Sequence, residues 1–141
     1  MPYMDKELFK FTENCLRRYH QNLAELRLRR EYIEGLATKS PSELNPDRID
    51  GGADTCALQR HAERIDSDAD IARLERMTQP IRDFLAILAD EDRQFIELRY
   101  FQERSWYQIS DALHVSVETA SRRWRGRLVR KAAQMIFGNL V

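Results

Sequence analysis

Apolar residues recur at helical spacing along most of this chain. From about Asp5 to Ala37 the pattern predicts one long helix. Leu16, Tyr19, Leu23, Leu26 and Ile33 follow a 3,4,3,7 spacing, a heptad seam interrupted at Arg30, and Phe9 extends it one heptad earlier. Gly35 and then Ser40-Pro41 end it. Residues 38–54, with two prolines and two adjacent glycines, offer nothing to bury and read as a mobile linker. A second helix is predicted from about Thr55 to Leu88. Leu58, Ala62, Ile65, Ala69 and Ala72 form one seam on it. Ile71, Leu74, Ile81, Leu85 and Leu88 form another, slightly rotated. Pro80 lies inside this run and predicts a kink or a break. The first helix is the natural partner, as an antiparallel hairpin; pairing between subunits is the alternative.

The last third of the chain reads as short capped helices. Asp90 is placed to cap a helix over about Glu91 to Phe101, with Glu91 and Asp92 in its first turn, where the helix dipole favours anions. That helix should bury Phe95, Ile96, Leu98 or Tyr100. Ser105 caps the next helix, and Gln108 completes a capping box. Ile109 and Leu113 are its core positions, and His114-Val115 form a short turn. Ser116 then caps the last helix, with Thr119 nearby. Ala120, Trp124 and Leu128 share one face of that helix at i, i+4, i+8, and should pack on Ile96, Ile109 and Leu113. Two helices joined by a very short turn, the second rich in arginine, have the form of a helix-turn-helix, which lays its second helix in the major groove of DNA.

Composition sharpens this picture. In 141 residues, 33% charged, only five glycines and four prolines suit long exposed helices. The formal net charge is zero but segregated. Residues 1–30 hold seven Lys/Arg against four Asp/Glu, net +3. Residues 31–103 hold nine against seventeen, net −8. Residues 104–141 hold seven against two, net +5. The basic end points to a local DNA-facing surface; the acidic middle reads as a solvated face or one turned to a second protein. No apolar run approaches the ~20 residues needed to cross a bilayer. The N-terminal MPYMDKELFK lacks the apolar core of a signal peptide. A cytoplasmic protein is the expectation.

With Ala120, Trp124 and Leu128 turned inward, the opposite face carries the polar residues. Val117, Glu118, Ser121 and Arg122 fall in the first two turns, which reach base edges in a helix-turn-helix. Arg122 can form a bidentate contact to guanine. Glu118 can accept from cytosine, or simply favour the helix N-terminus. Thr119, Arg123, Arg125 and Arg127 are placed for phosphate, as are the exposed ends of Ser105 and Gln108, and Ser116 at the cap. Arg130 and Lys131 lie further along as solvated charges. Trp124 reads as core. One of Trp106 and Tyr107 should pack beneath the helix pair, and the other should lie beside the DNA backbone.

These residues carry a resemblance. Asp92–Leu128, with RQFIELRYF, SWYQISDAL and SVETASRRWRGRL, resembles the bacterial sigma-factor domain that reads the −35 promoter element. The matching positions are Arg93, Leu98-Arg99-Tyr100, Ser105-Trp106-Ile109 and Ser116–Thr119, with Arg123 on the family's basic position. They cover about a quarter of the chain. The whole layout is similar to phage late-gene transcriptional regulators of the RinA and ArpU type: a long helical N-terminal half, a linker with an Asp-Gly step (here Asp50-Gly51), a second helix and a sigma-like C-terminal helix-turn-helix. The resemblance implies a DNA-binding activator of phage or prophage genes, working with host RNA polymerase. Two positions depart from the pattern: His114 stands where the turn usually carries Gly, and Ser110 where the first motif helix carries Ala.

Other chemistry is poorly supported. Cys15-x4-His20 and Cys56-x4-His61 look like paired zinc ligands, but on a helix i and i+5 point ~140° apart. Asp66, Asp68 and Asp70 fan around a helix without the Gly and closing Glu of a calcium loop. Phosphate loops, nucleophile elbows and His-Glu-x-x-His are absent from the sequence. The expectation is an all-α protein without cofactor, metal or catalytic residues: a coiled helical arm over 1–89 and a helix-turn-helix domain over 90–141. Its function would be DNA-binding regulation, with self-association through the arm. The alternatives are a small-terminase-like packaging subunit and a sigma-like module that binds polymerase without reading DNA.

Overall fold

A computed structural model describes residues 5–38 and 52–138. The protein is all-α, and the described residues contain no strand. The helices are α1 (Lys6–Arg17), α2 (Tyr19–Thr38), α3 (Gly52–Ile87), α4 (Asp90–Ile96), α5 (Trp106–Leu113) and α6 (Arg125–Phe137). Two π-helical stretches join them: Glu97–Phe101 prolongs α4, and Thr119–Trp124 leads into α6. No helix among the described residues is long and apolar enough to cross a membrane.

The expected single N-terminal helix is interrupted by one residue. Arg18 takes φ −87°, ψ −2°, which separates α1 from α2. Its N–H still bonds Asn14 and its carbonyl still accepts from Asn22, so the chain path continues. Asp5 caps α1, accepting from Glu7 N–H at 3.2 Å. α3 starts at Gly52, three residues before the expected Thr55, and runs unbroken through Pro80. Pro80 costs the helix one N–H donor, and of the kink or break expected there the break does not occur. Thr78, Ile81 and Phe84 beside it are buried to within 1%, so packing holds this stretch in place. Most of the predicted linker, including Asp50-Gly51, lies outside the described residues.

The chain divides into two compact units. The first comprises residues 5–22 and 77–138. α1 packs against α6 and the Glu97–Phe101 turn. Its core holds Leu16, Ile81, Phe84, Phe95, Ile96, Tyr100, Ile109, Leu128 and Val129, all essentially inaccessible. The sequence pattern draws its boundary at residue 90, whereas this compact unit takes in α1 and resumes at residue 77. A helical spacing reveals which face of α1 is apolar but not what covers it.

The second unit is residues 23–76, a hairpin of α2 and α3. Three polar contacts set its antiparallel register: Arg29 to Asp70 at 3.5 Å, Arg30 to Glu75, and Tyr32 Oη to Glu63 at 2.8 Å. The two helices pair within one chain. The buried face of α3 carries Ser67 and Leu74, opposite Leu26 on α2. This is the Ile71/Leu74 seam. The Leu58/Ile65 seam does not pack on α2: Leu58 is 70% and Ile65 54% exposed. Ile65 lies nine residues before Leu74, half a turn out of phase, and so points away from the hairpin interface.

Candidate nucleic-acid interface

The helix pair around His114 is built by local hydrogen bonds that the sequence foreshadows. Ser105 is extended, and its Oγ accepts from Gln108 N–H at 3.2 Å. Gln108 Oε1 in turn accepts from Ser105 N–H at 3.1 Å, closing the capping box. His114 ends α5 in the left-handed region, φ 56° and ψ 41°. That conformation is uncommon for a residue with a side chain, and histidine is among the more tolerant. The turn has its own brace. Ser110 accepts from Val115 N–H through its carbonyl at 3.2 Å and donates its hydroxyl to the Val115 carbonyl. Ser110 thus secures the turn in which His114 takes its left-handed conformation. Ser116 then caps the last helix, its Oγ accepting from Thr119 N–H at 3.0 Å and donating to Thr119 Oγ1 at 2.7 Å.

The last helix begins at residue 117 and widens over Thr119–Trp124, where Arg125 N–H reaches back to the Ala120 carbonyl. This five-residue step is the mark of a π turn, rare and often found at functional sites. It shifts the phase of the buried face. Ala120 and Leu128 are buried as expected, but Val129, Ala132 and Ala133 join them, and Trp124 is only half-buried. Trp124 rests 5.9 Å from Phe95, ring centre to ring centre. Trp106 lies 6.1 Å from Phe95 on another side, under the guanidinium of Arg99 at 4.0 Å. Trp106 is therefore the packed aromatic, and Tyr107 is 79% exposed. Asp90 proves to be the first residue of α4 rather than its cap; Ala89 holds the cap position without a side-chain bond.

Of the residues singled out for base contact, Glu118 and Arg122 stand in solvent and Val117 and Ser121 are half-buried. Glu118 and Arg122 face each other at 3.5 Å with side chains 77% and 79% exposed, a third role for Glu118 beside those expected. In water such a pair is worth little and opens readily. Of the residues singled out for phosphate, Arg123, Ser105, Gln108 and Ser116 are exposed and Thr119 half-buried.

Arg125 and Arg127 are engaged elsewhere. Arg125 reaches Glu13 with both arms of its guanidinium, at 2.8 and 3.0 Å. Tyr100 Oη donates to the same carboxylate at 2.7 Å. Glu13 is 3% exposed. Burial works against its charge, but the bonds from Arg125 and Tyr100 more than offset that and hold its carboxyl below the usual value. Tyr100 is pushed up, first by burial and then by its bond to Glu13. Arg127 forms a bidentate pair with Asp92 at 2.8 and 3.0 Å, which holds the Asp92 carboxyl below its ordinary value. These two arginines fasten the last helix to α1 and to α4. Sequence reasoning missed Glu13 and Asp92 as their partners, and Ser110 as the brace of the turn. Glu13 did leave a signal: it sits four residues after Phe9 and three before Leu16, a carboxylate on an apolar face, which requires a partner.

The chain belongs to the DUF722 family, described as proteins of unknown function, whose pattern matches residues 30–134. No curated protein and no solved structure compared with it gives a match.

Proposed function

We propose that this protein is a sequence-specific, double-stranded-DNA-binding transcriptional regulator that activates phage or prophage genes in the bacterial cytoplasm. It has no catalytic role, and it works as a homo-oligomer beside host RNA polymerase. The observation that carries this reading is the last helix. Behind a tight left-handed turn it presents Arg122 and Arg123 to solvent beside Glu118 and Ser121, while Arg125 and Arg127 are tied inward. Val117, Glu118, Ser121 and Arg122 form the base-reading group, with Ser105, Gln108, Ser116, Thr119 and Arg123 on the phosphates. Arg125 and Arg127 leave the phosphate set and orient the helix instead.

Selection from a random duplex library, followed by sequencing, tests the reading. Wild type should enrich one motif. Arg122→Ala should relax that motif at one position and weaken binding by about 1–3 kcal/mol, whereas Arg123→Ala should weaken all sequences alike and flatten the salt dependence by about one unit of slope. Salt-sensitive binding without a motif would point to a packaging subunit. No binding at low salt would overturn the reading in favour of a module that contacts polymerase alone.

A further inference from the structure

The hairpin of residues 23–76 leaves apolar residues exposed on both of its helices. Four large apolar residues of this unit are exposed: Leu28 at 62%, Tyr32 at 44%, Leu58 at 70% and Ile65 at 54%. Two helices meeting along one seam bury one stripe each, and a stable unit needs its remaining apolar stripe covered by another layer. On α3 that stripe has heptad order. Leu58, Ala62, Ile65, Ala69 and Ala72 follow a 4,3,4,3 spacing on the side opposite Leu74. In heptad terms Leu58, Ile65 and Ala72 take position d, and Ala62 and Ala69 take position a. Alanine at a lets two backbones approach closely.

We propose that this stripe is the dimerisation seam, pairing α3 with α3 of a second copy in parallel and in register; the inference deepens the self-association part of the proposed function and rests on it. The flanking charges choose both the partner and the direction. In a parallel pair each g position faces the e position of the next heptad on the other helix. That sets the charges of Asp68 on one copy and Arg73 on the other against each other, and places the His61 imidazole to donate a hydrogen bond to Asp66, each twice by symmetry. Asp66, Asp68, Arg73 and His61 are all exposed. An antiparallel pair would instead set e against e, and with the stripe aligned end to end it lays Asp66 against Asp66 of the other copy, like charge on like.

Sedimentation equilibrium of the full chain, without DNA, tests this. Wild type should be a dimer. Ile65→Glu should raise the dissociation constant by about tenfold or more, a change of about 1.4 kcal/mol, with an unchanged circular dichroism spectrum, since the side chain is exposed within one copy. Leu28→Glu, on the far side of α2, should leave the dimer intact. In a C15S/C56S background, Ile65→Cys should form an interchain disulfide on mild oxidation, because equivalent d positions face each other only in the parallel pair. A wild-type monomer, or an Ile65→Glu protein that still dimerises, overturns the seam. A dimer that Ile65→Cys fails to cross-link overturns the parallel direction. A monomer that still enriches one DNA motif would sink this seam and leave the DNA reading standing.

Discussion

The unit of residues 5–22 and 77–138 and the hairpin of residues 23–76 both use amphipathic helices and Arg–carboxylate pairs, with opposite results. In the first, Glu13, Tyr100 and Arg125 come from three separate helical segments and meet around a carboxylate that is 3% exposed. In the hairpin, the Arg30–Glu75 pair joins two neighbouring helices with both side chains about half exposed, 51% and 48%. A carboxylate removed from water must be matched or it destabilises the fold; a carboxylate at the surface falls back on solvent. The same pairing of residue types is therefore structural in one unit and nearly neutral in the other. Apolar residues divide the same way. Phe84 and Phe95 are sealed in the first unit, whereas Leu58 and Ile65 stand open on the hairpin.

The largest effect should come from breaking the buried network. Glu13→Ala leaves Arg125 and Tyr100 without their acceptor, and should cost about 3–5 kcal/mol in urea unfolding monitored by tryptophan fluorescence. Trp106 and Trp124, the chain's two tryptophans, both belong to this unit. Glu13 also sharpens the comparison through pH. Its carboxyl titrates below the ordinary value of 4.5 in the folded protein. Its contribution is then fully present above pH 4.5 and is lost as pH falls through the lower, folded value. Wild type should lose stability on that descent, and Glu13→Gln should show a shallower acid limb. A loss under about 1 kcal/mol for Glu13→Ala would mean that the carboxylate is not sealed as described.

Much of the first unit could be read before its structure was known. The capping box of Ser105 and Gln108, the turn at His114 and the cap at Ser116 are encoded by residues within a few positions of one another, and local spacing reports local bonds directly. Burial of Phe95, Ile96 and Ile109 followed from periodicity alone. What escaped was long-range. Glu13 and Arg125 are 112 residues apart, and no spacing rule links them. Read by composition, Arg122, Arg123, Arg125 and Arg127 form one basic run; their partners split it into an outward pair and an inward pair. The π turn at Thr119–Trp124 hid the rest, because a period of 3.6 carried through it assigns the core to Trp124 and omits Val129.

Ser110→Ala probes an intermediate case, a half-buried hydroxyl bonded to the Val115 carbonyl. Alanine at this position removes that brace while His114 stays left-handed. The loss should be about 1 kcal/mol, read as a lower thermal midpoint. Pairing it with His114→Gly should return part of that loss, because glycine takes the left-handed conformation without steric cost. Equal losses with either residue at 114 would show that the hydroxyl acts independently of the strain at that position.

The smallest effect should come from the hairpin. Arg30→Ala removes a surface pair whose members remain hydrated when parted, and the expected cost is below about 1 kcal/mol, fading further in molar salt. The comparison turns on this variant as much as on Glu13→Ala. The hairpin's register is also held by Leu26 and Leu74, 2% and 0% exposed, and by the Tyr32–Glu63 bond. If Arg30→Ala cost as much as Glu13→Ala, burial would not be what separates the two units. If it costs little while Leu74→Ala costs about 2–5 kcal/mol, the hairpin is held by its apolar seam, and its surface charges remain free to select a partner.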